Sequence, residues 1–80
     1  MSDPDMSRLR WRCRRGMKEL DLLLLRFVDT VYTEAELPVQ VAFRQLLSMP
    51  DPDIMALLTG RAAADDEHLA YVVTRLLTRD

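Results

Sequence analysis

Apolar residues along the chain fall into five groups with helical spacing, separated by polar or helix-breaking positions. The strongest is Leu20, Leu23, Leu24, Phe27, Val28 and Val31, at i, i+3, i+4, i+7, i+8 and i+11. That is the one-face repeat of an amphipathic helix, and it predicts a central core helix over roughly residues 17–32. The leucine run at 22–25 makes this helix apolar nearly all round, so neighbours are expected on more than one side. Before it, Met6, Leu9 and Cys13 share a face of a helix capped by Asp5 or Ser7 and running to about Arg14, interrupted by Gly16. After it, residues 33–37 connect to a third helix, with Pro38 in its first turn and Val39, Phe43, Leu46 and Leu47 on one face, ending near Met49.

Pro50 stops that helix. Asp51-Pro52-Asp53 reads as N-cap, first-turn proline and first-turn acid of a short fourth helix using Ile54, Leu57 and Leu58, with Gly60 at its C-terminal cap. Asp65 or Asp66 caps a fifth helix carrying Leu69, Val72, Val73, Leu76 and Leu77. The pattern predicts an all-α fold, a compact bundle of about five short helices. One domain spans residues 1–80, with 1–5 a flexible leader and 6–79 the bundle.

Composition supports this reading. Two glycines in 80 residues and 6 % aromatics suit a small β-barrel poorly, and 49 % apolar with 30 % charged residues is ordinary for a globular chain. No stretch approaches 18 consecutive apolar residues, so no membrane span is expected. The single cysteine excludes a disulfide framework and a cysteine-based zinc site, and reads most simply as a small apolar helix residue. Residues 1–5 hold two acids and no hydrophobic segment, which fits neither a secretory nor a mitochondrial leader. A bacterial, cytoplasmic chain is expected.

Net charge is -2, but it is unevenly placed. Residues 1–20 carry six basic and three acidic side chains, a net +3, while the remainder carries five against ten, a net −5. Catalytic candidates are few. His68 is the only histidine and reads as a solvated residue in a helix first turn. Asp51 with Asp53 and Asp65 with Asp66 fall where helix N-termini favour negative charge. No phosphate loop or nucleophile motif is present, and no enzyme is expected.

The informative segment is Arg8-Leu-Arg10-Trp11-Arg12-Cys13-Arg14-Arg15-Gly16-Met17-Lys18-Glu19-Leu20-Asp21. Six of the eleven residues from Arg8 to Lys18 are basic, with Trp11 among them. If a helix continued through Gly16, Trp11, Arg15 and Glu19 would stack at i, i+4 and i+8 on the face opposite Leu20 and Leu24, an exposed recognition surface. Gly16 would then admit a partner backbone at close range. Equally open are simpler readings: Trp11 in the core, Gly16 as a helix C-cap, Arg15 and Glu19 as a surface pair. A nucleic-acid-binding or antitoxin-type module is the alternative function that the basic cluster suggests, although ten carboxylates after residue 20 would repel a duplex. A general helical adaptor is a third.

Trp11 followed by Arg14-Arg15-Gly16-Met17-Lys18-Glu19-Leu20-Asp21 resembles the W-x-x-R-R-G-x-x-E-L-D signature of the succinate dehydrogenase assembly factors that promote covalent flavinylation. The RGxxE core is Arg15, Gly16 and Glu19. Phe27, Tyr32, Phe43, Leu46-Leu47, Asp51-Pro52-Asp53 and Gly60 also fit that pattern, so the likeness covers about residues 8–78. Two positions depart from it: Glu36-Leu37-Pro38 stands where the family often has a Ser-Asp start, and Leu57 where it often has tryptophan.

The resemblance implies a five-helix bundle that binds the flavoprotein subunit of succinate dehydrogenase, and often of fumarate reductase. It would promote attachment of FAD to a histidine of that subunit as a chaperone, without stably binding FAD itself. The expected partner-binding residues are Arg15, Gly16, Glu19, Trp11, Arg8, Arg12, Arg14 and Asp21. No metal, nucleic acid or membrane is expected, and the free chain is expected to be monomeric.

Overall fold

The computed structural model describes residues 4–78. Over them the chain forms α1 (Pro4–Arg12), α2 (Lys18–Thr30), a 3-10 turn (Tyr32–Glu34), α3 (Leu37–Leu47), α4 (Asp51–Leu58) and α5 (Glu67–Leu77). All regular structure among the described residues is helical. Pro4 and Asp5, read above as leader, form the first turn of α1. Residues 1–3, the rest of the expected leader, and residues 79–80 lie outside the described residues.

The core follows the predicted faces closely. Leu20, Leu24, Phe27 and Val28 of α2, five residues of α3 and Val72 and Leu76 of α5 are buried together with Ile54 and Leu57 of α4. At the centre, the rings of Phe27 and Phe43 stack with centroids 4.5 Å apart, and Tyr32 tilts against Phe43 at 5.7 Å. Such aromatic pairs add packing energy beyond their area. Leu9 and Cys13 bring α1 onto the same core.

Helix ends show where local signals and tertiary packing disagree. The expected α2 end at Tyr32 is overrun by packing. The helix stops at Thr30, and Tyr32 enters the 3-10 turn with its ring buried, while its carbonyl accepts a bond from Gln40 Nε2 at 2.8 Å. The N-cap of α4 is Pro50, so Asp51 is the first helical residue rather than the cap. Gly60 follows α4 with φ +81°, the left-handed conformation expected of a residue just past a helix end. Asp66 caps α5, its carboxylate accepting from the His68 amide at 3.0 Å.

The leucine run is only partly covered. Leu24 is buried and Leu23 and Leu25 are half-buried, but Leu22 is 60 % exposed. Leu77, placed by its spacing on the inner face of α5, is likewise exposed, although Arg26 of α2 bonds the neighbouring Leu76 and Thr78 carbonyls. No helix among the described residues is long and apolar enough to cross a membrane.

Candidate functional site

The RGxxE segment forms the junction between α1 and α2. Helix α1 ends at Arg12, two residues short of the expected end, and the Cys13 amide closes its last turn by donating to the carbonyls of Leu9 and Arg10 at 3.2 and 3.1 Å. The chain reverses through residues 14–17. Gly16 sits at φ +83°, and Met17 takes an extended conformation as N-cap of α2. With no helix through Gly16, the continuous stack of Trp11, Arg15 and Glu19 does not form.

Asp21 shapes this turn. From the first turn of α2 its carboxylate reaches back to accept from the amides of Arg15 at 2.8 Å and Gly16 at 3.3 Å. Two amides that the reversal would otherwise strand are thereby satisfied. Met17 has no side chain able to cap, and Asp21 supplies the charge that a helix N-terminus favours.

Arg15 turns inward. Its Nε donates to Asp51 Oδ1 at 2.5 Å, Nη1 to the Leu47 carbonyl at 2.7 Å and Nη2 to the Met49 carbonyl at 2.6 Å. One guanidinium thus satisfies the C-terminal end of α3 and pairs with the first residue of α4. A planar fork of fixed donors suits this task, and a lysine ammonium could not span the three acceptors in the same way. Arg15 therefore acts as the keystone of the junction, and its side chain is not presented to solvent.

The other basic residues divide into two groups. Arg10 pairs with Asp29 of α2, and Arg12 donates to Ser48 Oγ at 3.0 Å and to the Arg44 carbonyl at 3.4 Å. Arg8, Arg14 and Lys18 are exposed with no hydrogen bond or ion pair among the described residues, and Glu19 is equally unengaged. Trp11 stands 71 % exposed, so the core reading of this side chain does not hold. A concavity of about 540 Å³ lies beside it, lined by Trp11, Arg12, Arg14, Arg15, Pro50 and Asp51. An added Cβ at Gly16 would meet no atom within 4 Å, so the glycine is required by its backbone conformation and its outer side is open.

The junction thus has an inner and an outer layer. Arg15 and Asp21 hold its shape from inside, and Trp11, Arg8, Arg14, Gly16 and Glu19 form the outward surface. Sequence reasoning placed the segment but missed Asp51 as the partner of Arg15. That pair is 36 residues apart, and the acid also reads as a first-turn helix residue, so no local signal separates the two roles.

Two further titratable groups bear on the chemistry. Cys13 is fully buried and donates to the Leu9 carbonyl at 3.3 Å. Burial pushes its thiol up to about 11, against the opposing pull of Arg10 and Arg12. It is a packed core residue and not a nucleophile. His68 sits with Nδ1 3.3 Å from Asp66 Oδ1, and no group of three or more metal-ligating side chains occurs among the described residues.

The family model described as the flavinator of succinate dehydrogenase, Sdh5, matches residues 7–80. The chain belongs to the Sdh5 family. Among its relatives is the FAD assembly factor SdhE of Idiomarina loihiensis, 44 % identical over 75 residues that make up 94 % of this chain and 83 % of the relative. The SdhE proteins of Shewanella oneidensis and Pseudomonas aeruginosa are 40 % and 38 % identical, each over at least 94 % of this chain and 92 % of their own length. No solved structure matches the chain. Membership of the Sdh5 family covers the junction and the whole bundle. It sets aside the nucleic-acid reading, whose only support was a basic cluster in which Arg10 and Arg15 are paired with carboxylates.

Proposed function

We propose that this chain is an assembly factor that docks through the outer layer of the α1–α2 junction on the flavoprotein subunit of succinate dehydrogenase and promotes covalent attachment of FAD to it. Fumarate reductase flavoprotein is a second client under the same reading. FAD stays in the partner's site, and this chain holds none of it stably. The free factor is monomeric and works in the bacterial cytoplasm.

The observation that carries this reading is the open, unengaged group around Gly16. Trp11 provides a large, rigid apolar contact flanked by the unpaired cations Arg8 and Arg14, the composition of an interface hot spot. Gly16, with nothing outside it, lets a partner backbone approach the turn. Glu19, in the first turn of α2 and without a side-chain partner among the described residues, orders a basic or histidine-bearing segment of the flavoprotein. Arg12 borders the same concavity while anchored to α3. Arg15 and Asp21 contribute by holding these groups in register.

The physical effect is positioning. Holding reacting groups of the partner in a productive arrangement removes several kcal/mol of barrier without a protein group of the factor making the bond, on the order of 7 kcal/mol in well-oriented systems. The test is Glu19→Ala, co-expressed with the flavoprotein subunit and read by in-gel flavin fluorescence. Fluorescence at least tenfold lower, with unchanged circular dichroism and melting, is expected. Normal fluorescence overturns the role of Glu19.

A further inference from the structure

The two ends of α2 differ in charge. The basic junction lies at the N-terminus of this 13-residue helix, and at its other end, about 20 Å away, is an acidic cleft. The cleft measures about 580 Å³ and is formed where the end of α2, the 3-10 turn and the start of α3 meet one face of α5 from Glu67 to Arg75. That volume is within the range of specific ligand sites.

Four observations define what this cleft would accept. Glu34, Glu36 and Glu67 line it; none pairs with a lysine or arginine among the described residues, and Glu67 Oε1 lies 4.0 Å from Nε2 of His68, which also lines the cleft. Tyr71 presents its ring there, 45 % exposed. Val31 and Val39 provide apolar surface in the same concavity. Finally, Arg75 lines the cleft, and its Nε is a buried donor with no hydrogen-bond partner. A buried donor left unsatisfied is costly, so a shift of this side chain toward an acceptor in the cleft is favoured.

We propose that this cleft is a second docking site, for an extended cationic segment of a protein partner that carries an aliphatic side chain between basic ones. The basic side chains would meet Glu34, Glu36 and Glu67, one of them lying over the Tyr71 ring as a cation–π contact. The aliphatic side chain would cover Val31 and Val39, and a backbone carbonyl of the segment would accept from the Arg75 guanidinium as it turns toward the cleft. An acidic segment meets three carboxylates against the single Arg75 guanidinium in the same place, so the cleft selects by charge sign as well as by fit. The site is independent of the junction and of the function proposed for it.

The probe is the peptide acetyl-Lys-Leu-Lys-Leu-Lys-amide, titrated into the isotope-labelled full chain, with acetyl-Glu-Leu-Glu-Leu-Glu-amide as control. Amide shifts at Val31, Glu34, Glu36 and Tyr71, with Gly16 and Glu19 unmoved, are expected from the cationic peptide alone. Raising salt from about 50 to about 300 mM should weaken binding several-fold, because the Debye length falls below the spacing of surface charges. A Glu34→Gln/Glu36→Gln variant, exposed at both positions and so expected to fold normally, should lose at least tenfold in affinity. Absence of these shifts, equal binding of the acidic peptide, or an affinity unmoved in the double variant overturns the proposal. So does a concentration-dependent mass of the chain alone that the cationic peptide reverses, since the occupant would then be a second copy.

Discussion

The guanidinium of Arg15 lies against the carboxylate of Asp51, Nε to Oδ1 2.5 Å, and joins the α1–α2 junction to the first residue of α4. Both side chains are largely shielded, at 16 % and 33 % exposure, and the Leu47 and Met49 carbonyls fill the remaining donor directions. The most distinctive arginine of the RGxxE core is thus an internal tie. Its loss and the loss of Glu19 should differ in kind.

Arg15→Ala leaves a carboxylate and two carbonyls without their donor. A cost of about 2–4 kcal/mol is expected from the lost charge-assisted bonds and the unpaired acid. Urea unfolding of the variant, with Arg15→Lys recovering only part of the loss, checks this. An Arg15→Ala chain as stable as the parent would show that the guanidinium is no keystone.

Gly16→Ala places a β-carbon on a residue held at φ +83°. The backbone cost is about 1 kcal/mol, a fall in Tm of roughly 4–8 °C for a domain of this size. Because the added methyl meets nothing in the free chain, no steric loss is expected beyond that. Flavinylation measured well below the melting temperature should fall further than stability explains, since the methyl then stands where the partner backbone approaches. Unchanged flavinylation would remove Gly16 from the contact.

Trp11→Ala removes an exposed ring and should change stability by no more than about 0.5 kcal/mol. Affinity for the isolated flavoprotein subunit, measured by calorimetry, should drop at least tenfold, as for interface hot-spot tryptophans, where truncation costs about 2 kcal/mol or more. Equal affinity would place the docking surface elsewhere.

Cys13, buried and with its thiol pushed from 9.0 to about 11, should react with a thiol reagent at pH 8 about a hundredfold slower in the native chain than in denaturant. The sign of its pH effect follows from the raised value. Below about pH 9 the thiol is protonated in both folded and unfolded chains and its contribution is intact. Between about 9 and 11 the unfolded chain loses the proton first, and stability declines. Urea midpoints from pH 8 to 11 should fall more steeply for the parent than for Cys13→Ala, and parallel slopes would contradict the shift.

The helices were largely readable in advance. Phe43, Leu46, Leu24 and Val72 are buried as their spacing requires, Asp66 caps α5, and Gly60 takes its positive φ past α4. Departures fall where packing between elements, present or missing, decides. Tyr32 leaves the expected helix because its ring packs on Phe43, and Leu22 and Leu77 stay exposed because nothing covers them. Within the junction, the RGxxE pattern located the site but did not divide it. Arg15 and Arg14 are adjacent and chemically identical, yet one is largely shielded against Asp51 and the other has no side-chain partner among the described residues.

Periodicity, helix punctuation and the family signature are local properties of the chain, because a helix is specified by residues three or four apart and a cap by its immediate neighbours. The sequence alone therefore determined an all-α bundle, its core faces and the segment proposed to carry function. Which arginines are spent on internal bonds is a contest among distant acceptors. Asp29, Ser48 and Asp51 come within reach of α1 and its junction only after the helices pack. That packing alone decided which residues form the inner layer, which form the outward surface, and that an acidic cleft lies at the opposite end of α2.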